Sequence, residues 1–93
     1  HEDTKIATDA ERTFLLALGG GCNDPIAAYA KIEEQELNLH GLYASADGRV
    51  VAQDSIQGHK RLAHQLAQRL AEDLNQKLRQ QTRELQGEEN SEG

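Results

Sequence analysis

The residue best suited to chemistry in this sequence is its single cysteine, Cys22, which follows a run of three glycines, Gly19-Gly20-Gly21. A thiol beside residues without side chains is open to the approach of a large group, which suits a point of covalent attachment. The glycines also end a predicted helix, and the negative end of a helix dipole disfavours a thiolate. The loop is therefore typical of a tether more than of an activated nucleophile. On spacing alone, however, a small buried thiol beside a simple glycine turn is the favoured interpretation.

The histidines form no recognisable motif with this cysteine. His59 and His64 are separated by five positions, whereas paired metal ligands on one helix face are separated by three or four. His40 or His64 would supply a base for Cys22, but no spacing brings either one to it. The glycines follow a helix, and no Gly-Lys-Ser/Thr comes after them, so a phosphate loop is excluded. We expect no metal site.

A helix must position the loop from its N-terminal side. Apolar residues recur at spacings of three and four from Ala10 to Leu18, which predicts a helix that begins near Ala10. Thr8 or Asp9 would cap its first turn. The glycines end it, because glycine is a weak helix former and readily adopts left-handed backbone angles.

The remaining elements are predicted to be three strands and a second helix. Apolar residues alternate over 26–32, 37–43 and 50–56, which predicts short strands. The turn at 45–48 contains Ala46-Asp47-Gly48 and is a good hairpin, whereas the turn at 33–35 lacks glycine. Leucines every four residues from Leu62 to Leu78 predict the second helix. The fold class is therefore α+β in the order α-β-β-β-α, with helices on one face of a three-stranded antiparallel sheet.

Composition restricts the class of protein further. The chain has 93 residues, so it forms one small domain, and its single cysteine cannot form an internal disulfide. No apolar run approaches the roughly 18 residues of a membrane span. Double-stranded-RNA-binding domains share the predicted element order, but they need a basic second helix, and the net charge here is −6. We expect neither a membrane nor a nucleic-acid partner. The chain contains no methionine, which suggests a piece of a longer polypeptide.

In one stretch of the sequence, the exact order of residue types is more informative about the family than the apolar periodicity is. Residues 10–30, AERTFLLALGGGCNDPIAAYA, closely resemble the start of the C-terminal domain of the porphobilinogen deaminases, also called hydroxymethylbilane synthases. In that family a helix beginning Ala-Glu-Arg runs into Leu-x-Gly-Gly-Cys-x-x-Pro-Ile. The resemblance continues through Leu39-His40-Gly41-Leu42 and the Ala46-Asp47-Gly48 turn to residues 66–74, and it stops beyond Asn75.

The resemblance implies part of a transferase of tetrapyrrole (haem) biosynthesis, which condenses four porphobilinogen molecules into hydroxymethylbilane. Cys22 matches the cysteine that carries the family's dipyrromethane cofactor through a thioether, and Gly20 and Gly21 belong to the same loop. The family's acid/base aspartate and substrate-binding arginines lie in two preceding α/β domains. The resemblance therefore implies no catalytic residue in this chain, and porphobilinogen would bind only to the whole enzyme.

These implications lead to definite expectations for the isolated chain. Residues 1–85 would form the cofactor-carrying domain, and residues 86–93 a disordered acidic tail. We expect a monomer that is inactive alone, carries a free thiol and has the two preceding domains as its partners. A free thiol persists in a reducing compartment, which favours the cytoplasm. The alternative is a stand-alone module of double-stranded-RNA-binding or protein-binding type, whose binding would not depend on Cys22.

Overall fold

The structure is a computed structural model that describes the backbone of residues 1–19 and 24–90, and the side chains in these ranges as far as residue 81. Within these residues, helices α1 (Glu2–Gly19) and α2 (Ala63–Asn90) pack on a sheet of strands β1 (Ile26–Glu33), β2 (Glu36–Ala44) and β3 (Val51–His59). A short 3₁₀ turn, Lys60–Leu62, joins β3 to α2. The predicted α-β-β-β-α order and α+β class are confirmed.

The sheet is antiparallel, with β2 between β1 and β3. In the centre of the register, Leu39 pairs with Ala30 on one side and with Ile56 on the other. Alternate residues face opposite sides of a strand, so Leu37 and Leu39 are buried beneath the helices while His40 is exposed on the other face. The described helices cover only one face, as predicted.

The core lies between the sheet and the two helices. Its fully buried large side chains are Phe14, Leu37, Leu39, Leu70 and Leu74. The ring of Phe14 packs directly on the backbone of β2 at Gly41, where an added Cβ would lie 2.3 Å from Phe14 Cζ. This close approach fixes α1 over the central strand.

Helix α1 begins at Glu2, so the predicted start near Ala10 is wrong. Thr8 and Asp9 are exposed residues within the helix and do not cap it. Half-buried Ile6 extends the apolar stripe one turn toward the N-terminus. The first turn is also held by an ion pair of 2.8 Å between Asp3 Oδ1 and Lys60 Nζ. Packing and a distant lysine therefore lengthen the helix.

The backbone of α2 is helical as far as Asn90, so residues 86–90 are helical where the sequence indicated no regular structure. The chain's only proline is Pro25, and nothing between Ala63 and Asn90 therefore removes an intrahelical donor. The division into a domain of residues 1–85 and a disordered tail of residues 86–93 stays a prediction. Among the described residues, no helix is long and apolar enough to cross a membrane.

Candidate functional site

The candidate site is the loop between α1 and β1. Gly20, Gly21 and Cys22 lie outside the described residues, so the structure shows the two ends of the loop. Helix α1 ends at Gly19, as predicted, and β1 begins at Ile26, two residues after Asp24. The loop therefore joins the C-terminal end of α1 to the start of β1. We use the name loop end for the end of the domain at which this loop lies, which is marked by Gly19, Asp24 and Pro25.

The downstream end of the loop is attached to the last residues of β2. The Tyr43 hydroxyl donates a hydrogen bond to the Asp24 carboxylate. The backbone N–H of Ala44 donates to the carbonyl oxygen of Pro25 at 3.0 Å. Two bonds on consecutive residues thus hold the chain against the sheet before β1 begins.

The upstream end of the loop is positioned through α1. Glu11 Oε2 accepts a hydrogen bond of 2.7 Å from the backbone N–H of Ala30, which belongs to the outer edge of β1. One turn further along the helix, Phe14 packs on the central strand, and Leu18 packs against the core. The upstream end of the loop is therefore held through α1, and the downstream end through Asp24 and Pro25 themselves.

The described side chains around the loop end are small or turned outward. Ala17 and Pro25 are exposed, and so is Ala27, the second residue of β1. Leu16, in the last turn before the loop, is also exposed. All four of these side chains are exposed to solvent, and two of them are alanines.

The histidines considered as bases are not grouped with the ends of the loop. His40 lies on the open face of the sheet, opposite Tyr29 on β1 and Ser55 on β3. His64 lines a cleft beside the first half of α1, whereas Cys22 follows the end of that helix. His59 Nδ1 accepts the backbone N–H of Arg61 at 3.1 Å and caps the 3₁₀ turn. In the described part of the chain, no three His, Cys, Asp or Glu side chains form a group that could hold a metal ion.

The basic residues near and along α2 are interleaved with acidic partners. Lys60 pairs with Asp3, Lys77 Nζ lies 3.4 Å from Asp54 Oδ2, and Arg69 Nε lies 3.4 Å from Asp73 Oδ1. A double-stranded-RNA-binding helix needs free cations for phosphates. These pairs weigh against the nucleic-acid alternative.

Two contacts that position the loop were not apparent from the sequence. Both the Asp24–Tyr43 bond and the Glu11–Ala30 bond join residues 19 positions apart. Local periodicity gives no information about such pairs. The register of β1 and β2 would have indicated the Asp24–Tyr43 contact, because it pairs Tyr43 with Ile26, which is two residues after Asp24.

The chain is thus a small α+β domain whose single cysteine belongs to the segment between α1 and β1, and the described residues on both sides of that segment are held by contacts with the sheet. Residues 5–76 match the protein family described as the C-terminal domain of porphobilinogen deaminase. This match covers the loop, all three strands and the first part of α2. The chain therefore belongs to that family.

Individual relatives agree with the family match. The porphobilinogen deaminase of Moorella thermoacetica is 48% identical over 61 residues, which are 66% of this chain and 20% of that protein. The porphobilinogen deaminase of Alkaliphilus metalliredigens is 47% identical over 58 residues, 62% of this chain and 18% of that protein. The chain thus spans about one fifth of the length of the curated relatives it matches.

Proposed function

We propose that this chain acts as the cofactor-carrying domain of a porphobilinogen deaminase (hydroxymethylbilane synthase), the transferase that condenses four porphobilinogen molecules into hydroxymethylbilane in tetrapyrrole biosynthesis. The observation that carries the proposal is the family match over residues 5–76, which includes Cys22 and both flanks of its loop. Two preceding α/β domains of the same polypeptide supply the acid/base and substrate-binding groups. Porphobilinogen is a substrate of the whole enzyme in the cytoplasm.

Cys22 is the attachment residue for the dipyrromethane. Its Sγ would hold the cofactor through a thioether, in which the sulfur replaces the amino group on a pyrrole methylene carbon and the thiol proton leaves with that group as ammonia. When bound, the cofactor supplies the primer that is extended during the reaction. Because the sulfur reacts once and then remains bonded, it needs access more than a lowered pKa, and a glycine-rich loop provides access.

The described residues around the loop fit this role. The exposed side chains of Ala17 and Ala27 are small, which leaves room for a two-ring pyrrole group at the loop end. The bond of Tyr43 to Asp24 and the bond of Ala44 to Pro25 hold the chain beyond the loop in place. A tether works best on such a support, because a fixed base limits the volume that the attached group explores.

The chain alone is inactive and carries a free thiol. None of the described residues forms an acid/base or arginine-rich cluster around the loop, and the family's groups for those tasks belong to the preceding domains. Intact mass measurement of the isolated chain should give the unmodified mass. A pyrrole adduct on the isolated chain would contradict this part of the proposal.

The test of the whole proposal uses the full-length polypeptide that ends in this chain. Cys22→Ser should reduce porphobilinogen consumption to background, because the oxygen of serine does not replace the thioether. Gln68→Ser is a matched control, since it places the same side chain on the exposed side of α2 and should keep wild-type activity. Full activity in Cys22→Ser would overturn the assignment.

A further inference from the structure

The open face of the sheet changes character along its length. Toward the turn between β1 and β2 it carries charged side chains, among them Lys31 and Glu33, which pair at 3.1 Å. Toward the loop end it carries Ala27, Leu42 and Val51, which are apolar. The strand register therefore separates the open face into a charged end and an end that carries apolar residues.

The apolar residues at this end are neighbours on the open face. Leu42 is directly opposite Ala27 on β1, whereas its partner on β3 is the exposed Gln53, and Val51 is diagonal to it on β3. Tyr29 is the next residue of β1 on the same face. Tyr29, Val51 and Leu42 are 56%, 55% and 37% exposed. Contiguous exposure of large apolar side chains marks interaction sites. We call Ala27, Tyr29, Leu42 and Val51 the apolar patch.

A shallow groove adjoins the apolar patch on the same face. Its volume is about 410 Å³, and Tyr29, Asn38, His40 and Ser55 contribute to its lining. These polar side chains can accept and donate hydrogen bonds to a partner, next to apolar area that a partner would bury. Apolar contact area bordered by polar groups is the usual anatomy of a protein–protein interface.

Strand addition at the sheet edges is obstructed by side chains. On β1, the outward N–H of Ala30 is bonded to Glu11. On β3, Lys77 Nζ donates to the carbonyl of Gln53 at 3.3 Å, and Gln81 Nε2 donates to that of Val51 at 3.4 Å. Strand addition would have to displace these three bonds. A partner that packs on the open face leaves them intact.

We infer that the apolar patch is the docking surface for the preceding part of the same polypeptide in the full-length porphobilinogen deaminase, an inference that rests on the proposed function. The relatives are about five times as long as the segment they share with this chain, so most of each protein lies outside it. Ala27 is three residues from Asp24, which places the patch beside the loop end. Docking there brings the rest of the enzyme next to Cys22.

The size of the surface agrees with this occupant. The strands are 8 or 9 residues long. At about 3.3 Å per residue and about 4.8 Å between strands, they present a face of roughly 400 Å². Interfaces between domains of one chain bury about 600–1,500 Å² in total over both sides. The whole open face thus matches one side of an interface within this range, and the apolar patch forms the part of that side next to the loop end.

The test is hydroxyl-radical footprinting of Tyr29 in the full-length polypeptide and in the isolated chain. Tyr29 should react at least about threefold more slowly in the full-length protein, because the core of an interface excludes water. In the full-length protein, Leu42→Glu should restore its reactivity. Gln65→Glu, which adds the same charge on the exposed side of α2, should leave Tyr29 protected. Val51→Glu is a second variant in case Leu42→Glu does not fold.

Each other outcome has a definite meaning. Equal reactivity of Tyr29 in both proteins overturns the inference, and so does protection that appears only when the isolated chain forms a dimer. The mass of Cys22-containing peptides from the same wild-type samples reports separately on the proposed function. A pyrrole adduct together with an exposed Tyr29 overturns only the docking surface, whereas protected Tyr29 without an adduct overturns only the attachment role.

Discussion

At the scale of single residues, Glu34 has an unfavourable backbone conformation. It is in the two-residue turn between β1 and β2 with φ of 58°, and left-handed angles cost a residue with a Cβ about 1–2 kcal/mol. Glu34→Gly should therefore raise the free energy of unfolding by roughly 0.5–1 kcal/mol, since glycine's greater unfolded-state entropy offsets part of the gain. Urea unfolding of both proteins measures this. A lower midpoint for the variant would contradict the turn geometry.

The second hairpin turn contains a carboxylate stabilised in its charged form. Ser45 Oγ donates to Asp47 Oδ1 at 2.6 Å, and the Arg49 N–H donates to the same oxygen at 3.0 Å. These bonds lower the pKa of Asp47 from its ordinary value of 3.8. Because the folded-state pKa is lowered, the stabilisation exists above the unfolded pKa and is lost as pH falls through the folded value.

Ser45→Ala should raise the pKa of Asp47, because it removes the larger of the two causes. An NMR titration of the Asp47 carboxyl carbon between pH 2 and pH 6 follows this directly. The wild-type midpoint should lie below that of the variant. Identical midpoints would show that the serine hydroxyl does not bond to the carboxylate in solution.

Gly41 is required by the close approach of Phe14. Gly41→Ala would place a Cβ 2.3 Å from Phe14 Cζ and should destabilise the domain by about 1–3 kcal/mol through overpacking. Gly58→Ala is the matched control, because its Cβ would meet the methyl carbons of Leu66 at 3.0 Å and these can shift. Its cost in thermal or urea unfolding should be smaller. A larger cost at Gly58 would contradict the packing described at β2.

At the scale of elements, the contact between α1 and the edge of β1 holds the upstream side of the loop. Glu11→Ala leaves the half-buried N–H of Ala30 without its carboxylate acceptor and should cost about 1–3 kcal/mol. Hydrogen exchange at Ala30 should also become faster. Glu11→Gln keeps an acceptor oxygen and should restore most of the stability and protection. An unchanged Ala30 exchange rate in Glu11→Ala would refute the contact.

The elements differed in how far the sequence predicted them. Strand positions followed from strict alternation, as in Leu37 and Leu39, because each strand has one buried and one exposed face. The start of α1 did not follow, because its first two turns depend on the packing of Ile6 and on Lys60, a residue more than fifty positions away. The turn between β1 and β2 lacks glycine, as the sequence shows, and Glu34 adopts the left-handed backbone angle that glycine would favour. The residues that anchor the loop are joined by contacts that span the sheet, and no local pattern encodes these.

At the scale of the whole molecule, the fold was predicted from apolar periodicity along the chain and the family mainly from residues 10–30, and the match over residues 5–76 confirms the family. The chain spans about one fifth of its relatives, so under the proposed function its loop is one component of a larger active site. The support of the loop is complete within the chain, since Glu11, Phe14 and Tyr43 hold its two ends. The proposed function assigns the groups that act on the cofactor to the preceding domains of the polypeptide.

The most direct test of the central claim is peptide mass mapping of the full-length protein purified from cells. Trypsin releases residues 13–31, which contain Cys22 as their only cysteine. We predict that this peptide carries the added mass of a dipyrromethane on Cys22, and that the adduct is missing from Cys22→Ser. An unmodified Cys22 peptide from a fully active enzyme would contradict the attachment role.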